Sequence, residues 1–423
     1  LDINKLLGGV ACACGKTHTC EIRYVYIEPN AAAHLREICE PFERVLIVAD
    51  ENTFAAAGNQ TIHALADKQI EKVIFDGKRI LVPDELAIET VKSKLKQIDL
   101  LIGIGSGVIQ DLCKYVSSVS GIPYLVVATA PSMDGYASNG AAMITGGMKV
   151  TYPAGLPLAI LADTEIIRNA PMEMIVAGYG DIIGKYSALN DWKLSKCVCG
   201  EYFCDYIYDL TYQQIKGTLA LADGILRRDE KSVQTLMESL VTVGILMSFA
   251  GSSRPASGSE HHLSHFFEIT GILDSSYYFP HGIDVAYSTY VTAKMRETIL
   301  AHGCDHSLFR LTDAQYETVM KKLYTSVADG CIALQRKVGN YDTDRTERYR
   351  QKETEIKDIL AEMPSSAEIA EMLSTVGLDI NAFYAQYGKQ HIEDAVLYAK
   401  DLKDRYTVLW LYYDLFGGEK VTL

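Results

Sequence analysis

Positive charge is in deficit along this chain: 40 Lys and Arg stand against 54 Asp and Glu, a formal net charge of −14. So acidic a protein repels phosphate backbones and anionic membrane surfaces, and no block of Lys and Arg interleaved with aromatics offsets that field. Nucleic acid is therefore not an expected partner. No apolar run approaches the roughly 20 residues that cross a bilayer, so membrane insertion is not expected. The N-terminus lacks the basic-then-apolar pattern of a secretion leader, which makes a cytoplasmic location the expectation. Without that leader the ten cysteines read as reduced thiols or metal ligands, not as a disulfide framework. Internal repeats and low-complexity tracts are also missing.

What is present is an ordinary globular composition, 48% hydrophobic and 22% charged, in a chain of 423 residues, enough for two or three domains of about 100–200 residues each. RVLIVAD (44–50), KVIFDG (72–77), DLLIGIGSG (99–107), PYLVVATA (123–130) and PLAILAD (157–163) are short β-branched apolar runs. Amphipathic stretches such as DELAIETVKSKLKQ separate them. That alternation predicts a parallel sheet wrapped by helices. After Pro171 the period becomes helical, in MEMIVAGYGDIIGKYSALNDWKLSK, YDLTYQQIKGTLALADGILR, DEKSVQTLMESLVTVGILMSFA, SAEIAEMLSTVGL and EDAVLYAKDLKDRYTVLWLYYDLF. GNYDTDRTERYRQKE (339–353) is polar without apolar period and reads as a surface loop or an exposed helix start. The expected architecture is an α/β N-terminal nucleotide-binding domain with a parallel sheet, residues 1–165, and an all-α C-terminal domain, residues 166–423, that binds metal and substrate. In such a protein the active site is expected in the cleft near the C-terminal ends of the strands.

GIGSGVIQD (103–111) follows a strand and opens a helix. Glycines such as Gly105 and Gly107 let a ligand approach the backbone there, and the free N–H groups and dipole of a helix start favour phosphate. A tight α/β turn needs the same glycines, and Ile109 and Gln110 stand where a GxGxxG pattern continues to its third glycine. One strand later ATAPSMDGYASNGA (128–141) puts Thr129, Ser132, Asp134 and Ser138 at the same sheet edge. Asp50, ending the first strand, can accept from a ribose hydroxyl or cap the next helix.

Acids and histidines gather in the helical half. Asp181 has Lys185 one turn later, EHHLSH supplies Glu260, His261, His262 and His265, and His281 follows a proline. A lone histidine on an apolar helix is most often a hydrogen-bonded core residue, but here several converge. His261 pairs by spacing with His265, and so does His262, so spacing alone does not choose. A catalytic metal needs about three protein ligands and an open position, which Asp181 and two histidines supply. CACGKTHTC sets Cys12, Cys14, His18 and Cys20 within nine residues. Those are zinc-ligand types, yet CxC wraps one ion less well than CxxC and no second pair follows. Cys197, Cys199 and Cys204 are interleaved with a helical pattern.

In this order GIGSGVIQD, ATAPSMDGYAS, GYGDIIGK, SGSEHHLSH and PHG resemble the sn-glycerol-1-phosphate dehydrogenases, within the superfamily of dehydroquinate synthases, glycerol dehydrogenases and iron-dependent alcohol dehydrogenases. The motifs span Gly103 to Gly282. PSMDGYAS and SGSEHHLSH are the most selective, and the tail looks like that of the bacterial branch. The resemblance implies a dehydroquinate synthase-like fold and reversible, metal-dependent reduction of dihydroxyacetone phosphate with NAD or NADP. It implies that Gly107, Val108, Ile109, Gln110 and Asp111, with Thr129, Ala130, Pro131, Ser132 and Ser138, bind the dinucleotide. Asp134 contacts the phosphorylated triose, Asp181, His261 and His281 hold zinc or nickel, His265 faces the substrate, and His262 points elsewhere. Lys185 and Arg254 are candidate donors to the substrate phosphate or members of salt bridges. A homodimer is expected from the large apolar helical half. The alternatives are another alcohol or glycerol dehydrogenase, a dehydroquinate synthase, or a non-catalytic nucleotide- or metal-sensing protein.

Overall fold

The computed structural model describes residues 2–79, 81–146 and 148–418. A two-stranded antiparallel hairpin, β1 (Val10–Ala11) with β2 (Thr17–His18), opens the chain. Six strands then form one sheet: β3 (Tyr24–Glu28), β4 (Arg44–Asp50), β5 (Gln69–Phe75), β6 (Leu100–Gly105), β7 (Tyr124–Ala128) and, last, Ala159–Asp163. The hairpin of β8 (Gly140–Thr145) and β9 (Met148–Pro153) comes between β7 and that last strand, which is β10. The order across the sheet is β3-β10-β7-β6-β4-β5, and every pairing in it is parallel. The interior residues of β4 and all of β6, β7 and β10 are buried, as required of strands with helices on both faces.

All five strands expected from the sequence form. The edge strand β3 was not among them, because YVYIE alternates exposed and buried positions and has no apolar run. The chain passes from β4 outward to β5 and then returns to lay β6 on the other side of β4. That reversal creates the switch point at which open α/β sheets receive ligands. The crossovers are α1 (Glu51–Ala64), α2 (Glu85–Lys92) and α3 (Gly107–Ser120).

Beyond β10 the described residues contain helices and no further strand. Among them are α4 (Met172–Cys199), α5 (Asp205–Leu219), α6 (Glu230–Ala250), α7 (Ser259–Asp274), α8 (His281–His302), α9 (Ile380–Tyr398) and α10 (Val408–Phe416). By length and composition α6 could cross a membrane, contrary to the sequence expectation, but 72% of its most apolar window is buried in the protein. The periodic stretch at 393–416 is not one helix. It breaks after Tyr398 because Lys400 and Asp401 turn inward as a buried pair at 2.7 Å, with Lys400 stacked over the Tyr413 ring. The segment 339–353 is largely exposed and opens a short helix, Thr346–Gln351, yet that helix buries Tyr349, whose hydroxyl donates to Asp414 at 2.5 Å.

Contacts group the chain into two compact units, Leu1–Ile182 with Asp209–Ser253, and Ile183–Tyr208 with Arg254–Leu423. Two of the three divisions fall inside α4 and α5, and the third, after Ser253, falls in the loop between α6 and α7.

Candidate active site

The glycine turn is built by packing as much as by ligand access. A Cβ on Gly105 would lie 2.8 Å from the Ile109 side chain, and one on Gly103 would lie 2.9 Å from Gln110 Oε1. Gln110 is fully buried and donates from Nε2 to the carbonyls of Gly103 at 2.9 Å and Gly105 at 3.2 Å. The side chains of Ile109 and Gln110 thus lock α3 onto β6, and the Gln110 N–H is itself donated to the Ser106 carbonyl at 3.1 Å. Gly107 differs: a Cβ there would meet nothing nearer than the tip of Met133, at 3.5 Å. Asp50 caps α1, its Oδ1 accepting from the N–H groups of Asn52 at 2.8 Å and Thr53 at 2.9 Å.

The loop after β7 is held from several sides. Tyr136 donates to the Ala130 carbonyl at 2.6 Å and Ser132 to the Ser106 hydroxyl at 3.2 Å, which joins the loop to the glycine turn. Two glycines admit helices to it. A Cβ on Gly178 of α4 would collide with the Pro131 carbonyl oxygen, and one on Gly244 of α6 would lie 2.7 Å from that of Asp134. Lys114, which the sequence reading passed over, is the loop's anchor. Its buried ammonium donates to the carbonyls of Gly135 at 2.8 Å and Gly140 at 2.9 Å and to Ser138 Oγ at 3.1 Å, beside Asp111 at 3.3 Å. Burial pulls Lys114 below the ordinary lysine range, and Asp111 opposes that shift. Ser138 is therefore engaged in the loop's own bonding. The only sequence signal for Lys114 is a cation in the otherwise apolar DLCKYV face of α3.

Asp181, His261 and His281 come together: one ligand atom from each lies within 4.8 Å of the others. Asp181 Oδ2 accepts the backbone N–H of Asp134 at 2.9 Å. His261 Nδ1 lies 2.7 Å from Glu260 Oε1, which also accepts the Gly258 N–H at 2.8 Å. An oxygen already accepting marks Nδ1 as the donor and leaves the Nε2 lone pair for a cation. Burial raises the Glu260 carboxyl, while the Gly258 N–H and nearby Lys185 pull it back down. His281 Nδ1 faces Ser264 Oγ at 3.3 Å. The His265 ring stands 6.3 Å from that of His261 and 5.6 Å from that of His281, outside the converging three. His262 is fully buried apart from them, and burial pushes its pKa well below the usual histidine value, with Lys403, Arg405 and Arg254 adding to the shift.

Arg254 forms a two-point ion pair with Glu201, at 2.7 and 2.6 Å, and so takes the salt-bridge alternative. Two cations missed in the sequence stand beside the start of the histidine helix instead. Lys403 Nζ donates to Ser257 Oγ at 3.2 Å, and Arg405 donates to the Ser257 carbonyl at 3.1 Å. Burial, then Arg254, lowers Arg405 to about 10. Nothing local in KDLKDRY ties these residues to a segment 146 and 148 positions earlier.

Residues 26–171 match the family model described as iron-containing alcohol dehydrogenase. Glycerol-1-phosphate dehydrogenase [NAD(P)+] from Geobacillus stearothermophilus is 31% identical over 419 residues, covering 96% of this chain and 96% of that protein. The like-named protein of Methanosarcina mazei is 36% identical over 57% of this chain and 69% of its own length. Among solved structures, a probable glycerol dehydrogenase from Sinorhizobium meliloti superposes with a TM-score of 0.55 at 16% identity, over 80% of this chain and 98% of its own. An iron-containing alcohol dehydrogenase from Thermococcus thioreducens gives 0.57 at 14%, over 93% and 98%. These two likenesses are of fold.

Proposed function

The chain belongs to the glycerol-1-phosphate dehydrogenases, NAD(P)-dependent oxidoreductases, and from this we propose how its residues reduce dihydroxyacetone phosphate to sn-glycerol 1-phosphate, and the reverse. The observation that carries the reading is the convergence of Asp181, His261 and His281. One carboxylate and two imidazoles fit a divalent ion of the zinc or nickel kind, and Glu260 fixes one imidazole in the ligating tautomer. A cation held by these three would polarise the substrate's C2 carbonyl for the hydride that the nicotinamide supplies.

The protein's own part is placement and proton management. The segment Gly107–Asp111, through the N–H groups of the first turn of α3, and the loop Thr129–Ser132 receive the dinucleotide, with Gly107 leaving room for its diphosphate and Asp50 beside its ribose. Asp134 accepts from a substrate hydroxyl and so orients the prochiral carbon. Its backbone already touches Asp181, which links substrate placement to the ligand group. His265, adjoining both ligand histidines, hands a proton to the developing alkoxide, directly or through water. Lys403 and Arg405 give an acidic protein the local cations that a phosphate requires. In this assignment residues 1–165 serve the cofactor and residues 166–423 the metal and substrate. A cytoplasmic homodimer completes the proposal, and sedimentation of the purified chain tests the dimer.

The deciding assay measures oxidation of NADH and of NADPH by dihydroxyacetone phosphate after reconstitution with zinc or nickel, and resolves the stereochemistry of the product. Formation of sn-glycerol 1-phosphate is expected. Turnover of glycerol alone would move the protein to the glycerol dehydrogenases, and no turnover with cofactor and metal bound would make it a sensor.

A further inference from the structure

The N-terminal cysteine segment takes no part in the reaction above. Its hairpin turns at Gly15, in the left-handed region at φ +85°, with the Cys12 N–H donating to Lys16 and the Gly15 N–H to Cys12, both at 3.0 Å. This brings Cys12 and Cys14 to one side, with His18 at the end of β2. The fourth member is not Cys20 but Cys204, far along the chain. The Sγ atoms of Cys12, Cys14 and Cys204 and a ring nitrogen of His18 all lie within 4.8 Å of one another. Cys204 immediately precedes α5, a helix whose larger part clusters with the sheet.

Three details separate this group from a chance gathering of thiols. His18 Nδ1 lies 3.0 Å from the backbone carbonyl of Phe249. A carbonyl only accepts, so Nδ1 carries the proton and Nε2 presents its lone pair, 3.5 Å from Cys14 Sγ. A metal-binding histidine is commonly oriented in this way by a partner on its other nitrogen. The ring is also stacked on Phe249, centroids 5.4 Å apart, and is 1% exposed, so its direction is set by packing. Finally, zinc–sulfur bonds of about 2.3 Å place tetrahedral ligands roughly 3.8 Å apart, a spacing these four atoms can reach with small side-chain rotations.

We propose that Cys12, Cys14, His18 and Cys204 form a second, structural metal site that takes a tetrahedral zinc ion. Four protein ligands close the coordination shell, so no position is left for substrate or water, unlike the three-ligand group at Asp181. Thiolates in place of a carboxylate select zinc over magnesium or calcium. A two-stranded hairpin of this size is marginal alone, and the ion fastens it to the head of α5.

The two sites differ in ligand chemistry, which makes them separable in the intact chain. Wild-type protein, stripped with chelator under reducing anaerobic conditions, is titrated with cobalt(II). The proposal expects strong tetrahedral visible bands together with an intense near-ultraviolet thiolate-to-cobalt charge-transfer band, which the thiolate-free Asp181 group cannot produce. Zinc should bleach them. His261→Ala should keep the band, and Cys204→Ser should lose or markedly weaken it together with one zinc per chain by elemental analysis. Absence of the charge-transfer band in folded wild type, or zinc content unchanged in both Cys204→Ser and Cys12→Ser/Cys14→Ser, overturns the site.

Discussion

Glu260 holds His261 by a 2.7 Å contact between its Oε1 and the imidazole Nδ1, although the two residues are neighbours in sequence on the first turn of α7. The carboxylate is wholly buried, so its work is to aim the ring and to supply negative charge behind it. Glu260→Gln should keep the fold and weaken metal binding by about 10–100-fold, the usual cost of losing such a supporting carboxylate. His261→Ala should abolish metal retention and activity together. His265→Ala should keep the metal and lose about 10²–10⁴-fold in kcat, the range for a positioned acid or base. Metal content by elemental analysis, paired with turnover, checks all three, and equal metal loss in the two histidine variants would reverse their roles.

The part of this site legible in the sequence is the part written in local pattern. The apolar strands, the glycine turn and the motifs around Asp181, His261 and His281 sit in segments whose period or composition marks them. Spacing left His261 and His262 equivalent as partners of His265, and the convergence of His261 with Asp181 and with His281 at the start of α8 separates them. Lys114, Arg405 and Cys204 were illegible for a common reason. Each acts on a backbone or side chain far away in sequence, and a buried cation or a lone thiol in an amphipathic stretch carries no local sign of its partner. Conversely, the helical period at 393–416 misled because Lys400 and Asp401 pair inside the protein.

Lys114 makes its four polar contacts with nothing to replace it. Lys114→Met keeps the apolar stem but strands the Gly135 and Gly140 carbonyls and leaves Asp111 without its cation. Breaking a buried pair in this way costs about 3 kcal/mol or more. The loop it anchors carries Thr129–Ser132, proposed above to bind the dinucleotide, so KM for NAD(P)H should rise while KM for dihydroxyacetone phosphate changes less. Chemical denaturation and steady-state kinetics test both parts, and an unchanged unfolding midpoint would remove Lys114 from its anchoring role.

His391 makes stability depend on pH on the acid side of neutrality. Its Nε2 lies 2.9 Å from Thr270 Oγ1, whose own proton goes to the Phe266 carbonyl at 2.8 Å, and the ring packs on Phe266 and Phe267. Burial lowers its pKa from 6.5, against the opposing pull of Asp394 and Asp274. Below about pH 6.5 the unfolded chain therefore takes up a proton that the folded chain resists, and stability falls as pH falls. Urea midpoints measured between pH 7.5 and 5.5 should decline in the wild type and decline less in His391→Gln. Parallel curves for the two proteins would assign the acid sensitivity to other groups.

Lys403 and Arg405 are the cations best placed to distinguish a phosphorylated substrate from a plain triol. Both touch Ser257, four residues before His261, whereas Arg254 is committed to Glu201. A charge-assisted hydrogen bond contributes about 1.5–3 kcal/mol, so Lys403→Ala should raise KM for dihydroxyacetone phosphate by about 10–150-fold. Unphosphorylated dihydroxyacetone has no phosphate to lose contact with, and its kcat/KM should be nearly unaffected by the same change. Arg405 also props the Ser257 backbone, so Arg405→Lys is the cleaner variant there: it keeps the charge and loses the fork, and should fall between wild type and Lys403→Ala. If both substrates suffer equally, these residues shape the helix start and the phosphate is held elsewhere. If only the phosphorylated one suffers, the selectivity of this site for a phosphorylated triose lies in the last fifth of the chain, away from the motifs that identify its family.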